Sequence, residues 1–508
     1  MSIKTRRRIG WLVVPLLSVA GFAQTSGDLR LVEAVVKRDK EAVRSLLGQR
    51  PDVNAAQADG ATALHWAAHW DDLETAEFLI RAGANVNAAN DYGSTPLWLA
   101  CTNGNAGMVE KLLAAGANPN TALPTGETAL LRCARTGSAA AVKSLLARGA
   151  NVNAKDNEQG QTALMWAVAQ KHAAAARALI EGGADIHARS KGGFTAFLFA
   201  ARVGDIESAR VLLAAKANLE ETTPDGMTPL VLASAGAQED FAIFLLEQGA
   251  NPNAADSNGA TALHYAVLKG ITSLNGVRIA NYVSHWFRPS LLNLAKALLA
   301  HGANPNARLA KAPRTGGSAT KAPVGATPFL LAAAGPDPAA MRILYEGGAD
   351  ARLGTEGNLT PLIVAAGVAR GQDFTDEEKR QSLEAVRLLV DLGADVNAAN
   401  EDGLTAMHGA ASNGADAVVQ FLAERRAKLD VKDKYQQTPL SIASGMRLPW
   451  IPYGEELGEI IQPSTAQLLL ELGATPLDTP GYFTPVTEET DAYRINRSQR
   501  YEGVTPPR

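Results

Sequence analysis

Two histidines lie four residues apart in the stretch TALHWAAHW, residues 62–70. Residues four apart share one face of an α-helix, so His65 and His69 could together hold a metal ion. They could instead be packing and surface positions of a repeated motif. The choice between these interpretations depends on whether the stretch recurs elsewhere in the chain.

A second stretch could support acyl transfer. Ser318-Ala319-Thr320-Lys321 has the SxxK spacing of some serine enzymes, which place the lysine beside the serine on a helix. Here the spacing falls in a region rich in proline and glycine, where we expect no helix. The chain has no HExxH motif, nucleophile elbow, Walker loop or dinucleotide fingerprint. We therefore predict no catalytic site, no metal and no cofactor.

The N-terminus has the pattern of an export signal. Residues 1–23 combine four basic residues, an apolar run over 9–20 and the small-x-small ending Gly21-Phe22-Ala23. We expect cleavage and a periplasmic or secreted protein. The pair Arg6-Arg7 leaves the twin-arginine route open beside ordinary secretion. No later window approaches the roughly 20 apolar residues of a membrane span, so we expect no membrane insertion after cleavage.

The charge balance narrows the class of partner. The chain carries 48 Lys and Arg against 52 Asp and Glu, a formal charge of -4, and loss of the signal removes four basic residues to give -8. A mildly acidic protein is a poor partner for nucleic acid. The cysteines are Cys101 and Cys133, which stand where the repeat described next has small residues. We expect buried free thiols, although export would allow a disulfide.

One phrase of seven residues recurs eleven times, most often 33 residues apart, and a glycine usually follows 21 residues after its first threonine. The copies are TALHWAA at 62, TPLWLAC at 95, TALLRCA at 128, TALMWAV at 162, TAFLFAA at 195, TPLVLAS at 228, TALHYAV at 261, TPFLLAA at 327, TPLIVAA at 360, TAMHGAA at 405 and TPLSIAS at 438.

This phrase and its period resemble the ankyrin repeat. The resemblance implies an all-α solenoid of stacked helix-turn-helix units joined by β-turn fingers, with few or no catalytic groups. We expect a capping repeat over 28–60, the solenoid over 61–478 and a tail outside the repeat pattern over 479–508.

Elementary helix chemistry predicts the same elements. The threonine that opens each phrase is a good N-cap, and the alanine or proline that follows suits the first helical position. The closing glycine suits a left-handed C-terminal cap. Lys216 and Arg426 stand at that glycine position in two repeats, where we expect the finger to bend differently.

The recurring phrase answers the question of the two histidines. His264 and His408 occupy the position of His65, whereas other repeats have apolar residues there. The resemblance implies a structural hydrogen-bond network for these three histidines. His69 and Trp70 lie just beyond the phrase, where repeats vary. In ankyrin proteins such positions and the fingers line the binding face, so we single out His69, Trp70, Tyr92, Arg135 and Arg202, or else Trp70 and Tyr92 are ordinary surface aromatics.

Insertions interrupt the repeats near residues 271–290, 308–324, 369–380 and 447–460. Three of them fall at helix-helix turns of alternate repeats, and Thr375 and Glu378 have capping-box spacing that predicts an added helical turn. Their aromatic residues form a composite binding site or anchor the loops on the stack. These residues are Tyr282, Trp286, Phe287, Trp450 and Tyr453.

Together these patterns predict a monomeric, noncatalytic scaffold that binds a partner protein through the variable face and the insertions. The alternative is a secreted effector or enzyme accessory that binds a small ligand or peptide at the edge where the insertions lie. The sequence does not identify the partner.

Overall fold

The computed structural model describes residues 28–268, 290–311, 324–368, 375–445 and 462–477. The predicted signal peptide and the predicted C-terminal tail lie outside the described residues. Over the described ranges the secondary structure consists of α-helices and isolated β-bridges, without a strand. The chain divides into two compact units, unit 1 over Met1–Asn157 and unit 2 over Glu158–Arg508.

Unit 1 holds four helix pairs in its described part. Its helices are α1 (Arg30–Val36), α2 (Lys40–Gly48), α3 (Ala63–His69), α4 (Leu73–Arg81), α5 (Pro96–Asn103), α6 (Ala106–Ala114), α7 (Ala129–Thr136) and α8 (Ala139–Ala147). The first helix of each pair packs on its own partner helix and on the first helices of adjacent pairs. We call α1, α3, α5 and α7 the first-helix row of unit 1.

Unit 2 continues the alternation. Its described helices are α9 (Ala163–Ala169), α10 (Ala173–Glu181), α11 (Ala196–Val203), α12 (Ile206–Ala214), α13 (Pro229–Ala235), α14 (Glu239–Glu247), α15 (Ala262–Ala266), α16 (Leu292–Ala300), α17 (Pro328–Ala334), α18 (Pro338–Glu346), α19 (Pro361–Ala365), α20 (Asp376–Asp391), α21 (Ala406–Ser412), α22 (Asp416–Glu424), α23 (Pro439–Ala443) and α24 (Pro463–Glu471).

The phrase threonine begins the first helix of every repeat, as predicted. Each of the eleven threonines is the N-cap residue with an extended backbone, for example Thr95, whose hydroxyl accepts from Trp98 N at 3.2 Å. The leucine of the phrase is buried, as at Leu64 and Leu164, so this side of the helix forms the core. Helix α4 has the predicted bounds.

The closing glycines take the left-handed conformation, with φ of 92° at Gly83. Lys216 and Arg426 take it too, at φ of 69° and 66°, so the expectation that these two fingers bend differently is wrong. The bond that closes the preceding helix explains this result. Ala217 N donates to Leu212 O at 2.9 Å, and Ala427 N donates to Leu422 O at 3.0 Å, as Ala84 N does to Leu79 O.

Asparagines join successive repeats behind each helix pair. Asn87 Oδ1 accepts from Asn118 N at 2.7 Å, while its Nδ2 donates to Gly116 O at 3.1 Å. The same pair of bonds recurs at Asn120 in unit 1 and at Asn253 and Asn306 in unit 2. Each repeat is therefore fastened to the next by both a donor and an acceptor.

The insertions leave the repeat's closing hydrogen bond intact. In uninterrupted repeats, the residue that caps the second helix donates to a carbonyl five residues earlier, as Asp72 N does to Ala67 O at 2.9 Å. Leu291 N donates to Ala266 O at 2.7 Å and Gln462 N donates to Ala443 O at 2.8 Å, across 25 and 19 residues. These separations confirm the predicted insertion lengths of 20 and 14 residues.

The insertion near 369–380 extends a helix. Thr375 and Glu378 form the predicted capping box, with Thr375 N donating to Glu378 Oε2 at 2.9 Å. Helix α20 consequently has 16 residues, whereas the neighbouring second helices α18 and α22 have nine. The added turn is confirmed.

Candidate partner-binding surface

The histidine at the fourth phrase position is held from three directions. His65 Nδ1 accepts from Thr62 N at 3.1 Å and lies 2.9 Å from Thr62 Oγ1, while Nε2 lies 3.0 Å from Ser94 O in the next finger. Because Nδ1 accepts a backbone N–H, the ring proton is on Nε2 and is donated to Ser94 O. Both nitrogens are occupied, so His65 does not pair with His69 around a metal.

His264 and His408 repeat this arrangement in unit 2. Each Nδ1 accepts from the N–H of its phrase threonine at 3.1 Å, and each Nε2 lies 3.3 Å from a carbonyl of the next finger. Burial lowers the pKa of all three histidines, to about 4 for His264. These rings are neutral structural links between repeats, as the ankyrin resemblance implied.

A buried glutamate performs the same linking task where the histidine is missing. The fourth phrase position after Thr195 is Leu198, and the Thr195 hydroxyl instead donates to Glu221 Oε1 from the next finger. Burial raises the pKa of Glu221, while the bond from Thr195 opposes that shift. The sequence analysis missed this contact, and its only signal was a glutamate where neighbouring repeats have alanine.

His69 and Trp70 belong to an aromatic cluster on the first-helix row of unit 1. Trp66 stacks with Trp70 at 6.1 Å between ring centres, and His69 meets Trp70 edge-on at 4.6 Å. Arg38 Cζ lies 4.3 Å from the centre of the Trp70 ring. Trp70 is half-buried beneath this arginine and is not the fully exposed aromatic that a sequence view of the variable position suggests.

A shallow, open depression of about 460 Å³ lies beside this cluster, where the turns between paired helices meet. Trp70 and Arg38 line it with Lys40, and Asp71, Asp72 and Glu74 contribute carboxylates. Trp70 Nε1 and Asp71 Oδ1 have no hydrogen-bond partner among the described residues. The depression thus offers both a donor and an acceptor.

The next repeats of unit 1 carry a second arginine-tryptophan pair. Arg132 Cζ on α7 lies 4.2 Å from the Trp98 ring centre on α5, and Arg132 Nε lies 3.3 Å from Glu127 Oε1. Trp98 Nε1 has no acceptor among the described residues. A guanidinium over an indole gains cation–π attraction, so both arginines are held close to the first-helix row.

The finger of the second phrase presents a rigid, exposed tyrosine. Tyr92 is 71% exposed, the largest value among the exposed large apolar side chains of the described residues. Asn90 Oδ1 accepts from Tyr92 N at 3.1 Å and from Ser94 N at 2.9 Å, and Asp91 N donates to Asp59 O at 2.9 Å. The backbone beneath this side chain is therefore fixed by both its own finger and the preceding one.

An equivalent tyrosine in unit 2 was not among the predicted site residues. Tyr435, 48% exposed, also lies three residues before its phrase threonine. Asp433 Oδ1 accepts from Tyr435 N and Gln437 N, both at 2.8 Å, and Lys434 N donates to Asp402 O at 2.8 Å. The shared offset from threonine was the signal that could have found Tyr435.

Family comparison agrees with this geometry. The family description "Ankyrin repeats (3 copies)" matches residues 31–123, 105–190, 193–282 and 378–476, more than half of the chain. The chain belongs to the ankyrin-repeat family. The predicted all-α ankyrin fold is thereby confirmed, and ankyrin repeats generally mediate protein–protein interaction.

Two known proteins illustrate the similarity. A segment of 61 residues is 39% identical to serine/threonine-protein kinase 12 of Arabidopsis thaliana, covering 12% of this chain and 13% of that protein. This is a small ankyrin-region match, and the chain spans only that fraction of the kinase. The human ASB11 ankyrin repeat domain, a crystal structure, matches 44% of this chain and 98% of its own at 27% identity, with a TM-score of 0.40.

The structure places the remaining predicted residues of this ankyrin-repeat chain in different surroundings. Arg135 is exposed near the end of α7, and Arg202 is exposed near the end of α11, with its Cζ 5.9 Å from the Phe194 ring centre. Five predicted aromatic residues of the insertions lie outside the described residues, namely Tyr282, Trp286, Phe287, Trp450 and Tyr453. The composite insertion site stays a prediction.

Cys101 and Cys133 correct the expectation of free thiols. They form a disulfide between α5 and α7, with 4.6 Å between the Cα atoms, and both are fully buried. The small residues at the sixth and seventh phrase positions allow adjacent first helices to approach closely. In two consecutive repeats those positions are cysteines that face one another, a relation that spacing in sequence alone did not reveal.

The described ranges also bear on metals and membranes. Within them, no three His, Cys, Asp or Glu side chains are grouped so that they could hold a metal ion. None of their helices has the length and apolar character needed to span a bilayer.

Proposed function

We propose that this ankyrin-repeat protein is a noncatalytic, exported scaffold that binds a partner protein through its first helices and fingers. The observation that carries the proposal is the rigid presentation of Tyr92. Its side chain is exposed while hydrogen bonds from Asn90 and Asp59 hold its backbone. Tyrosine contributes large contact area for the loss of few rotatable bonds, and a fixed backbone lowers the entropy lost on binding.

The surroundings of Tyr92 fit a protein partner better than a small molecule. The tyrosine projects from a finger, and the half-buried Trp66, Trp98 and Leu99 lie on the adjoining helices of unit 1. Aromatic and arginine side chains are enriched among residues that dominate protein interfaces. A broad surface of this composition suits an interface, whereas small ligands generally need an enclosed pocket.

Two observations support export to the periplasm or the exterior. The first 23 residues have the pattern of a signal peptide. The Cys101–Cys133 disulfide suits an oxidising compartment, because thiols are kept reduced in the cytosol. We propose a monomer in that compartment. The alternative, a small ligand or peptide at the insertion edge, stays a prediction.

Site-specific photocrosslinking tests this function. A photoreactive phenylalanine replaces Tyr92 or, as the matched control, Tyr345, which is 47% exposed on the second helix α18. In the native host, we expect position 92 to crosslink to one defined protein, with Tyr345 giving no such product. Tyr92→Ala should abolish binding of that protein while changing the unfolding free energy by less than about 0.5 kcal/mol. Equal crosslinking from both positions, or from neither, would contradict the proposal.

A further inference from the structure

Positive charge is concentrated on the first-helix row of unit 1. The first helices with their flanking turns, residues 29–38, 62–70, 95–104 and 128–138, contain one carboxylate, Glu33, and five cations: Arg30, Lys37, Arg38, Arg132 and Arg135. The whole chain has a formal charge of -4. The equivalent segments of unit 2 in the described ranges contain a single charged residue, Arg202. The cationic character of these helices is therefore local to unit 1.

The cations differ in how far they are already neutralised. Arg30 pairs with Asp28 at 2.5 Å, and Arg132 lies near Glu127. Arg38 lies over the Trp70 ring, and no carboxylate of the described residues is within ion-pair distance of it. A guanidinium that contacts an indole by its face keeps N–H donors for a carboxylate, which it can bind in a planar, two-bond arrangement.

The depression beside Arg38 has the polarity of a peptide-binding site. Trp70 Nε1 lacks an acceptor and Asp71 Oδ1 lacks a donor, both within the described part of the chain. An acidic side chain on a peptide supplies acceptors for Arg38 and the indole, and the peptide backbone supplies an N–H for Asp71. Leu73, which also lines the depression, is 36% exposed and offers apolar contact.

We propose that unit 1 anchors an acidic segment of a partner protein, with a carboxylate bound by Arg38 on Trp70 and further contact at Arg132 on Trp98. This inference rests on the proposed scaffold function and specifies the chemistry of its partner. A nucleic acid fits less well than an acidic peptide. Asp71 and Asp72 beside the cluster, and Asp59 and Asp91 on the fingers, would repel a continuous polyanion.

Selection from a random-peptide display library on the immobilised full chain tests the proposal without a known partner. We expect enriched peptides to contain Asp or Glu, and a synthetic enriched peptide to lose most of its affinity when its acidic residues become amides. Arg38→Gln should weaken that peptide about tenfold or more, the scale of a lost charge-assisted bond. The matched control is Arg81→Gln on the second helix α4, where Arg81 pairs with Glu77.

Thermal unfolding of both variants identifies any loss of folding, and Arg38→Lys separates charge from planar geometry. We expect Arg38→Lys to keep part of the binding and raising the salt concentration to weaken it. Equal binding by Arg38→Gln and Arg81→Gln, or enriched peptides without acidic bias, would overturn the anchor and leave the scaffold function standing. Arg38-dependent binding of a thymidine oligonucleotide as tight as the peptide's would overturn the choice of partner. Failure to enrich any peptide would overturn the anchor, whereas the scaffold function depends on the crosslinking result.

Discussion

At the scale of single residues, the link between a phrase threonine and the next finger is conserved in geometry while its chemistry changes. His65, His264 and His408 form it with a neutral imidazole. Glu221 forms it from the opposite direction with a buried carboxyl group. These groups titrate oppositely, because burial disfavours the charged form in each case. The three histidines are therefore sites of acid sensitivity.

Replacing His264 by glutamine should reduce this sensitivity. Its pKa is about 4 in the folded chain and 6.5 when unfolded, so the neutral ring stabilises the fold fully above pH 6.5, and this stability is lost as the pH falls towards 4. Glutamine keeps a capping acceptor without titrating. From pH 7 to pH 5, the unfolding free energy of the natural chain should fall by about 2 kcal/mol more than that of His264→Gln.

Urea unfolding of both chains at the two pH values measures the difference. Protonation of His65 and His408 contributes equally to both chains, so it cancels in the comparison. A parallel fall for the two chains would show that His264 ionises as easily in the folded state as in the unfolded one.

At the scale of elements, the asparagine bonds behind each helix pair determine how firmly neighbouring repeats are joined. Asn253 uses both ends of its amide, accepting from Asn304 N at 2.7 Å and donating to Gly302 O at 2.9 Å. Glu220, at the equivalent position of an earlier repeat, keeps the accepting half with Asn251 N at 2.8 Å. The accepting half therefore tolerates a carboxylate.

Asn253→Asp should lower the unfolding free energy by about 1 kcal/mol, because the aspartate cannot donate to Gly302 O. The matched control is Asn304→Asp two helix-ends away, since Asn304 Oδ1 accepts from Asn306 N at 3.0 Å and an aspartate can do the same. Thermal or urea unfolding of both variants gives the comparison. Equal losses would show that added charge, and not the missing donor, weakens the stack.

Sequence predicted the elements well where local chemistry is strong. The phrase threonines begin the first helices, and the capping box at Thr375 begins α20. It failed at Lys216 and Arg426, whose left-handed backbone is imposed by the closing bond of the preceding helix. Local preference costs about 1 kcal/mol there, which the packing of neighbouring repeats outweighs.

At the scale of the whole molecule, the two units differ in what connects their repeats. Unit 1 contains the Cys101–Cys133 disulfide between the first helices α5 and α7. Repeat proteins are stabilised mainly by contacts between neighbours, so a change in one region acts chiefly on the repeats around it. The disulfide should therefore matter for unit 1 more than for unit 2.

The double substitution Cys101→Ala and Cys133→Ala tests this expectation. Alanine stands at the equivalent positions of other repeats, such as Ala67 and Ala68, so little packing is lost. For cysteines 32 residues apart, removal of the cross-link should cost about 3 to 4 kcal/mol by the chain-entropy argument. Hydrogen exchange should show faster opening of residues 28–157, with little change in the helices of unit 2. Equal acceleration in both units, or none, would count against a local role.

The candidate surface was only partly predictable from sequence. Tyr92 was found because an aromatic residue in a turn-rich finger has few reasons to be buried, and it is exposed. Trp70 looked equivalent in sequence, yet Arg38 from the capping repeat covers it. That contact joins residues far apart in sequence, and no local pattern reports it.

The sequence by itself determined the repeat, the ends of its helices, the lengths of its insertions and the structural task of His65, because each depends on residues within one repeat or on an exact register. The tertiary structure alone decided the disulfide, the glutamate that replaces a histidine and the arginine-tryptophan pairs. Those contacts arise between repeats, where the stacking of neighbouring helices brings side chains together that have no fixed relation along the chain.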